Sequence, residues 1–191
     1  RHRILLMNPL SLSDHIVGFN AIEPLGQFLS AKPDDVALVA DNLTAHIRKQ
    51  SGFEVNEAMR MQNILSAGIG LLAEGGHGRY TLAEFPFLFL PPPKAGKYAP
   101  TPTYNAFVES LLPQVAHYGT QSFWKMQWPT MLPNDRREWV QSSEGRIYPY
   151  LFDGRCLMTT CTAANARLDF RRLVNEGYWL FVNLPYPLLS E

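Results

Sequence analysis

Arginines crowd the second half of the chain, and their spacing among aromatic residues is the pattern that comes nearest to chemistry. Arg136, Arg137, Arg146, Arg155, Arg167, Arg171 and Arg172 are interleaved with Trp139, Tyr148, Tyr150 and Phe170. Guanidinium groups neutralise phosphates and aromatic rings stack on bases, so this composition suits a nucleic-acid backbone or a partner attached to one. Asp135, Glu138, Glu144, Asp153, Asp169 and Glu176 lie among the arginines, however, and a solvated helical face laced with ion pairs accounts for the same series. The group Phe123-Trp124, Trp128 and Trp139 reads as core packing and not as a platform for bases.

The usual catalytic constellations are missing. A triphosphate cradle needs a glycine-rich loop followed by lysine and a hydroxyl residue. Ala95-Gly96-Lys97-Tyr98 has Gly-Lys without the hydroxyl or the upstream glycine, and Gly75-Gly76-His77-Gly78 lacks lysine and follows a helix instead of opening one. No Gly-x-Ser-x-Gly elbow occurs. His2, His15, His46, His77 and His117 are scattered without metal-ligand spacing, and Cys156 and Cys161 have no second ligand pair. Asp34-Asp35 sits in a first helical turn, where the helix dipole stabilises negative charge. No catalytic residue and no metal ligand is assigned. The two cysteines read as buried thiols in a reducing compartment.

These residues must be positioned by a chain of 191 residues that is 46% hydrophobic and 18% charged, which excludes wholesale disorder and allows one sizeable core. Lys+Arg 17 against Asp+Glu 17 removes the global attraction to polyanions that a basic nucleic-acid-binding domain shows, so any such contact is local. The longest apolar candidate for a membrane span, around Phe85–Leu90, is broken by Pro86 and closed by Pro91-Pro92-Pro93. Absence of an initiator Met and an ending directly after an apolar strand pattern read as cuts inside a longer protein.

Ile4–Met7 and Tyr178–Val182 are short apolar runs that fit buried strands, and between them the patterns are helical. Pro33-Asp34-Asp35 opens a helix with Val36, Val39, Ala40, Leu43 and Ile47 at three-four spacing, closed by Ser51-Gly52. A second runs from Asn56 to about Glu74, with Met59, Asn63, Leu65, Ile69 and Leu72 on overlapping faces, and the following glycines stop it. Thr81 with Glu84 forms a capping box for a short helix that Pro86 confines to its first turns. Pro91–Pro102 is a proline-rich loop. Tyr104–Leu112, Val115–Trp128, Asp135–Tyr150 and Asp169–Asn175 are further helices, separated by Pro113, Pro129, Pro133, Pro149 and a turn at Gly154.

The order of these segments resembles the motor domain of conjugative type IV secretion coupling proteins (TraD/TraG-like) and their relatives among the FtsK/HerA-type P-loop ATPases. Arg3-Ile4-Leu5-Leu6-Met7-Asn8-Pro9 followed by Val17-Gly18-Phe19-Asn20-Ala21-Ile22-Glu23-Pro24 is similar to the family's strand and its "G-F-N-P-L" entry to an inserted all-α domain, with Asn8 where Asp is usual and Ala21-Ile22 in place of Pro-Leu. Met59-Arg60-Met61-Gln62-Asn63-Ile64-Leu65, Ser122-Phe123-Trp124 and Arg146-Ile147-Tyr148-Pro149-Tyr150-Leu151 resemble internal helices, the last with Gly145 for Asn. The best match is Leu168 through Leu184, which looks like the family's "D-h-x-x-h-h-x-x-G-x-h-h-h-V-N-L" return strand.

The resemblance implies a mainly α fold: a helical insertion domain at 25–168, with its proline-rich loop near 91–102, flanked at 1–24 and 169–191 by two short strands of a RecA-like α/β core. It implies that the nucleotide-binding lysine and acidic residues lie outside this sequence, so ATP and magnesium belong to the parent protein and the chain alone is inactive. It implies a hexameric, ATP-driven DNA translocase in conjugative transfer, acting in the cytoplasm at the inner face of the membrane. Its partners are DNA or a DNA-bound relaxase-like protein, neighbouring subunits and secretion-channel proteins. The arginine series named above is the expected DNA- or partner-binding set. Two readings compete with it: a helical protein–protein adaptor without a motor, using Pro91–Pro102 and aromatic surfaces, and a small hydrolase. Two strands alone leave open edges, which predicts that the isolated chain dimerises through them or leaves them disordered.

Overall fold

A computed structural model describes residues 3–7, 18–23, 33–51, 55–92, 102–162 and 170–182. The expected domain boundaries near 24 and 168, the Gly96-Lys97 pair, most of the proline-rich loop and Arg167 lie outside them. The described residues are mainly helical, with two short parallel strands. β1 (Arg3–Met7) pairs with β2 (Tyr178–Val182) in the register Arg3↔Tyr178 to Met7↔Val182. Parallel strands cannot be joined by a tight turn. Here the crossover is the entire helical body.

Three long helices build that body, two of them in its first half. α1 (Pro33–Ser51) carries Asp34 and Asp35 in its first turn and Arg48 and Lys49 in its last, the distribution a helix dipole favours. Val36, Ala40, Thr44 and Ile47 form its buried stripe at the expected spacing. α2 (Val55–Gly76) is the central helix. From Ile64 to Gly76 every residue except half-buried Ser66 is buried, so neighbours cover it all round. Met59, expected on the inner face, is exposed, because the covered part of α2 begins beyond it at Met61. Left-handed backbone at His77 (φ 47) and Gly78 (φ 79) ends the helix.

The next segment departs from expectation in an instructive way. Thr81 and Glu84 do form the capping box, yet the helix is a 3-10 helix running from Leu82 to Phe89, past Pro86. Leu82, Phe85 and Leu88 are all buried and lie three residues apart, which is the repeat of a 3-10 helix, so tertiary packing selects the tighter winding and overrides the proline. α3 (Ala106–Leu111) starts later than the pattern suggests, because Asn105 caps it by accepting a bond from the Val108 amide. A 3-10 turn follows at Leu112–Gln114.

α4 (Tyr118–Ser122), a π segment (Phe123–Gln127) and α5 (Trp128–Thr130) make one continuous rod, of which α4 and the π segment lie against α2. α6 (Pro133–Phe152) runs through Pro149 and ends two residues past the expected Tyr150. Fully buried Ile147 and partly buried Tyr150 and Leu151 hold that last turn on the core. α7 (Gly154–Thr160) packs on α6, and α8 (Phe170–Asn175) leads through Gly177 (φ 72) into β2.

Residues 18–23 join the end of α7 to this body. Asn20 bridges Cys161, its side-chain amide donates to the Tyr80 carbonyl at 2.8 Å, and Ile22 beside it is fully buried. A Cβ on Gly18 would occupy the place of the Thr162 side chain, so glycine is needed there. Cys156 and Cys161 are free but only half-buried, not core thiols, because α7 lies on the rim of the fold.

Two glycines of opposite character give a stability prediction. Gly145 is exposed in the middle of α6 with nothing within 4 Å of a Cβ, whereas a Cβ on Gly75 would meet the Leu111 carbonyl oxygen at 2.8 Å. Gly145→Ala is expected to raise stability by about 0.5–1 kcal/mol through helix propensity. Gly75→Ala is expected to lower it by about 1–3 kcal/mol through overpacking against backbone. Urea unfolding followed by circular dichroism measures both.

Candidate partner-binding groove

A groove with a volume of about 560 Å³ lies where the 3-10 helix, the start of α3 and α6 meet. That is a size at which proteins hold small ligands or short peptide segments. One wall is Leu88 to Pro92, and the other is the α6 stretch containing Arg136, Arg137, Val140 and Glu144. Asn105 fixes the first wall. While its Oδ1 caps α3, its Nδ2 donates to the carbonyls of Phe87, Leu88 and Leu90 at 3.1, 3.2 and 2.9 Å. The wall is therefore set before anything binds.

The floor is aromatic but closed. Trp128 has its ring centroid 5.6 Å from Phe89 and 5.5 Å from Trp124, and Phe89 stacks on Trp124 at 5.7 Å. Tyr104 donates its hydroxyl hydrogen to the Trp124 carbonyl, and its phenol is raised above its ordinary range by burial, partly offset by the charge of Arg136. Arg136 lies over Trp128 with its guanidinium carbon 5.2 Å from the ring centroid and donates from Nη2 to the Pro129 carbonyl at 2.9 Å. Its Nε–H is buried with no acceptor among the described residues. Burial raises the Glu144 carboxyl above the usual carboxylate range, partly offset by a hydrogen bond from Tyr148.

The expected arginine set is thus divided. Arg136 and Arg137 share the groove, Arg137 exposed and without an ion pair among the described residues. Arg146, nine residues beyond Arg137, projects from the opposite flank of α6 at about 100° per residue. Arg155 belongs to α7 and Arg171 to α8. Arg172 is ion-paired with Glu176 at 2.7 Å, and Glu176 also holds Arg3 of β1 at 3.4 Å. Trp139, half-buried, has Arg60 over its face at 6.0 Å, with Arg60 also bound to Glu138 at 3.0 Å. Phe123, Trp124 and Trp128 are core residues, as the sequence suggests.

What sequence reasoning did not join was the proline-rich stretch to the first turns of α6. The signal was there in Leu90-Pro91-Pro92 and Pro133, since prolines flank both walls. Among the described residues, no group of three or more His, Cys, Asp or Glu is placed to hold a metal ion, and no helix is long and apolar enough to cross a membrane. Gly75 to Gly78 closes α2 with no lysine beside it and does not fit a nucleotide phosphate. Comparison with family models, curated proteins and solved structures returns no match.

Proposed function

We propose that this chain is the substrate-engaging helical domain of a hexameric DNA-translocating ATPase that serves conjugative transfer or a related secretion process. The observation that carries the reading is the sheet. β1 and β2 pair in parallel across an intervening helical body, and their face bearing Ile4, Trp179 and Phe181 is 66%, 59% and 51% exposed at those residues. Two strands alone are marginal, and parallel sheets are normally covered on both faces. A RecA-like motor core that supplies further strands accounts for both facts, and the motif order supports it.

In this reading ATP and magnesium bind elsewhere in the parent, at the cytoplasmic face of the membrane. DNA contact falls to the other arginines of the series, Arg146, Arg155, Arg167, Arg171 and Arg172. Arg136 and Arg137 are left for a relaxase-like protein carried with the DNA or for a secretion-channel partner. An adaptor without motor activity is the second reading, favoured by the same preformed groove.

The motor assay separates the two. The parent protein is expected to hydrolyse ATP and move DNA, and replacing residues 25–168 by a crossover linker of roughly a dozen residues should retain hydrolysis and abolish transfer. A parent without ATPase activity leaves the adaptor reading. For the DNA contact, anisotropy of labelled duplex across a salt series should show a log–log slope that shrinks by roughly 0.9 for each phosphate contact removed by Arg146→Ala and Arg155→Ala. No binding at low salt, or an unmoved slope, removes it.

A further inference from the structure

We infer that the Arg136–Arg137 groove binds an acidic, proline-containing peptide segment of a protein partner. The inference rests on the reading of this domain as substrate-engaging, and it names the chemistry of the partner at one site.

Shape points first to a peptide. Leu88, Leu90, Pro91, Pro92 and Val140 give the groove rigid aliphatic walls, and Phe87 and Leu90 beside it are 52% and 54% exposed. An apolar groove accepts a polyproline II segment at low entropic cost, because such a segment is already extended. The wall that receives the segment is held by the three carbonyl bonds of Asn105, so little ordering is left to be done on the protein side either.

Charge then selects the sequence of that peptide. Arg137 has no ion pair among the described residues, and the Arg136 Nε–H has no acceptor there. The exposed Arg137 guanidinium can take a carboxylate through paired hydrogen bonds, and the charge of Arg136 on the same wall, its Nη2 already on the Pro129 carbonyl and its Nε–H buried, adds to the attraction. The chain's own 93–101 stretch carries Lys94 and Lys97 and no acidic residue, so it is not that complement.

Single-stranded DNA fits less well. Stacking needs open ring faces, and here Arg136 covers Trp128, which is 8% exposed, while Phe89 is stacked against Trp124. Glu144 on the same wall opposes a continuous phosphate backbone, whereas a peptide can place one carboxylate at the arginines and apolar residues beyond.

The test uses the whole 191-residue chain with four fluorescein-labelled probes. These are a proline-rich peptide with a single central glutamate, its glutamine and lysine counterparts, and an oligo-dT of similar length. The glutamate peptide should bind and the lysine peptide should not. Arg137→Glu, an exposed change checked for unaltered melting, should weaken the glutamate peptide by roughly tenfold and admit the lysine peptide. Val140→Asn provides a second, uncharged variant, on the apolar wall, and should weaken glutamate and glutamine peptides alike. Equal binding of all three peptides, binding of none, or oligo-dT displacing the glutamate peptide at the same site overturns the inference. The salt-slope experiment with Arg146→Ala and Arg155→Ala reads different residues. Failure there removes the DNA contact and leaves the groove result standing, and the reverse holds too.

Discussion

Trp124→Ala is expected to destabilise the protein by about 3–5 kcal/mol, the range for emptying a buried tryptophan site. Trp124 is fully buried, its Nε1 donates to the Ala67 carbonyl of α2 at 3.0 Å, and the rings of Phe89, Phe123 and Trp128 lie 5.5–5.7 Å away. Removing it opens a cavity among the π segment, the 3-10 helix and α2. The π segment places consecutive Phe123 and Trp124 in the core together. Trp124→Phe keeps most of the apolar volume and loses the hydrogen bond, so its cost should be nearer about 1–2 kcal/mol. Urea unfolding followed at 222 nm measures both. A Trp124→Ala loss below about 1 kcal/mol would show that the cluster collapses around the cavity and is not a rigid floor. Because Trp128 and Phe89 floor the groove, the alanine variant should also lose binding of the glutamate peptide, whereas Trp124→Phe should largely keep it.

Elements whose signals are local were legible in the sequence. α1 was readable from Pro33 through Ser51 because cap, stripe and closing charges agree, and β2 because an aromatic run follows Gly177, where the φ of 72 suits glycine. The parallel pairing of β1 with β2 was not legible in either run by itself, since nothing local links residues 3 and 178. Where tertiary contacts decide, sequence reasoning ran short. Pro86 and Pro149 are helix breakers in isolation, yet Leu82, Phe85 and Leu88 in one case and Ile147 in the other supply enough burial to override them. For the candidate site, Arg136 and Arg137 were legible as a pair. Their separation from Arg146 follows from helix geometry alone, but their company does not. Asn105, lying 31 residues upstream of Arg136, sets the opposite wall through bonds to carbonyls, which no side-chain pattern reveals.

Glu74→Ala is the second large effect, about 2–4 kcal/mol, because it deletes charge-assisted bonds to backbone amides in a nearly buried place. Oε1 of Glu74 accepts from the Ala116 amide at 2.6 Å and the His117 amide at 3.0 Å, and Oε2 accepts from His117 at 3.2 Å. Those amides lead directly into α4, whose N-cap is His117 and whose Thr120 is buried against α2. A carboxylate in the last turn of α2 is itself unfavourable against the helix dipole, by roughly 0.3–1 kcal/mol. The three bonds outweigh that opposition, which is why an acid stands where sequence reasoning favours a base. Glu74→Gln retains one acceptor and should recover about half of the loss, whereas Glu74→Lys should be worse than alanine, since it adds a buried cation facing two N–H donors. Raising the salt to about 1 M should leave the alanine difference nearly unchanged, because screening acts weakly on a buried carboxylate. A loss that vanishes in salt would mean that Glu74 acts as a surface charge and that α4 is docked by its apolar residues alone.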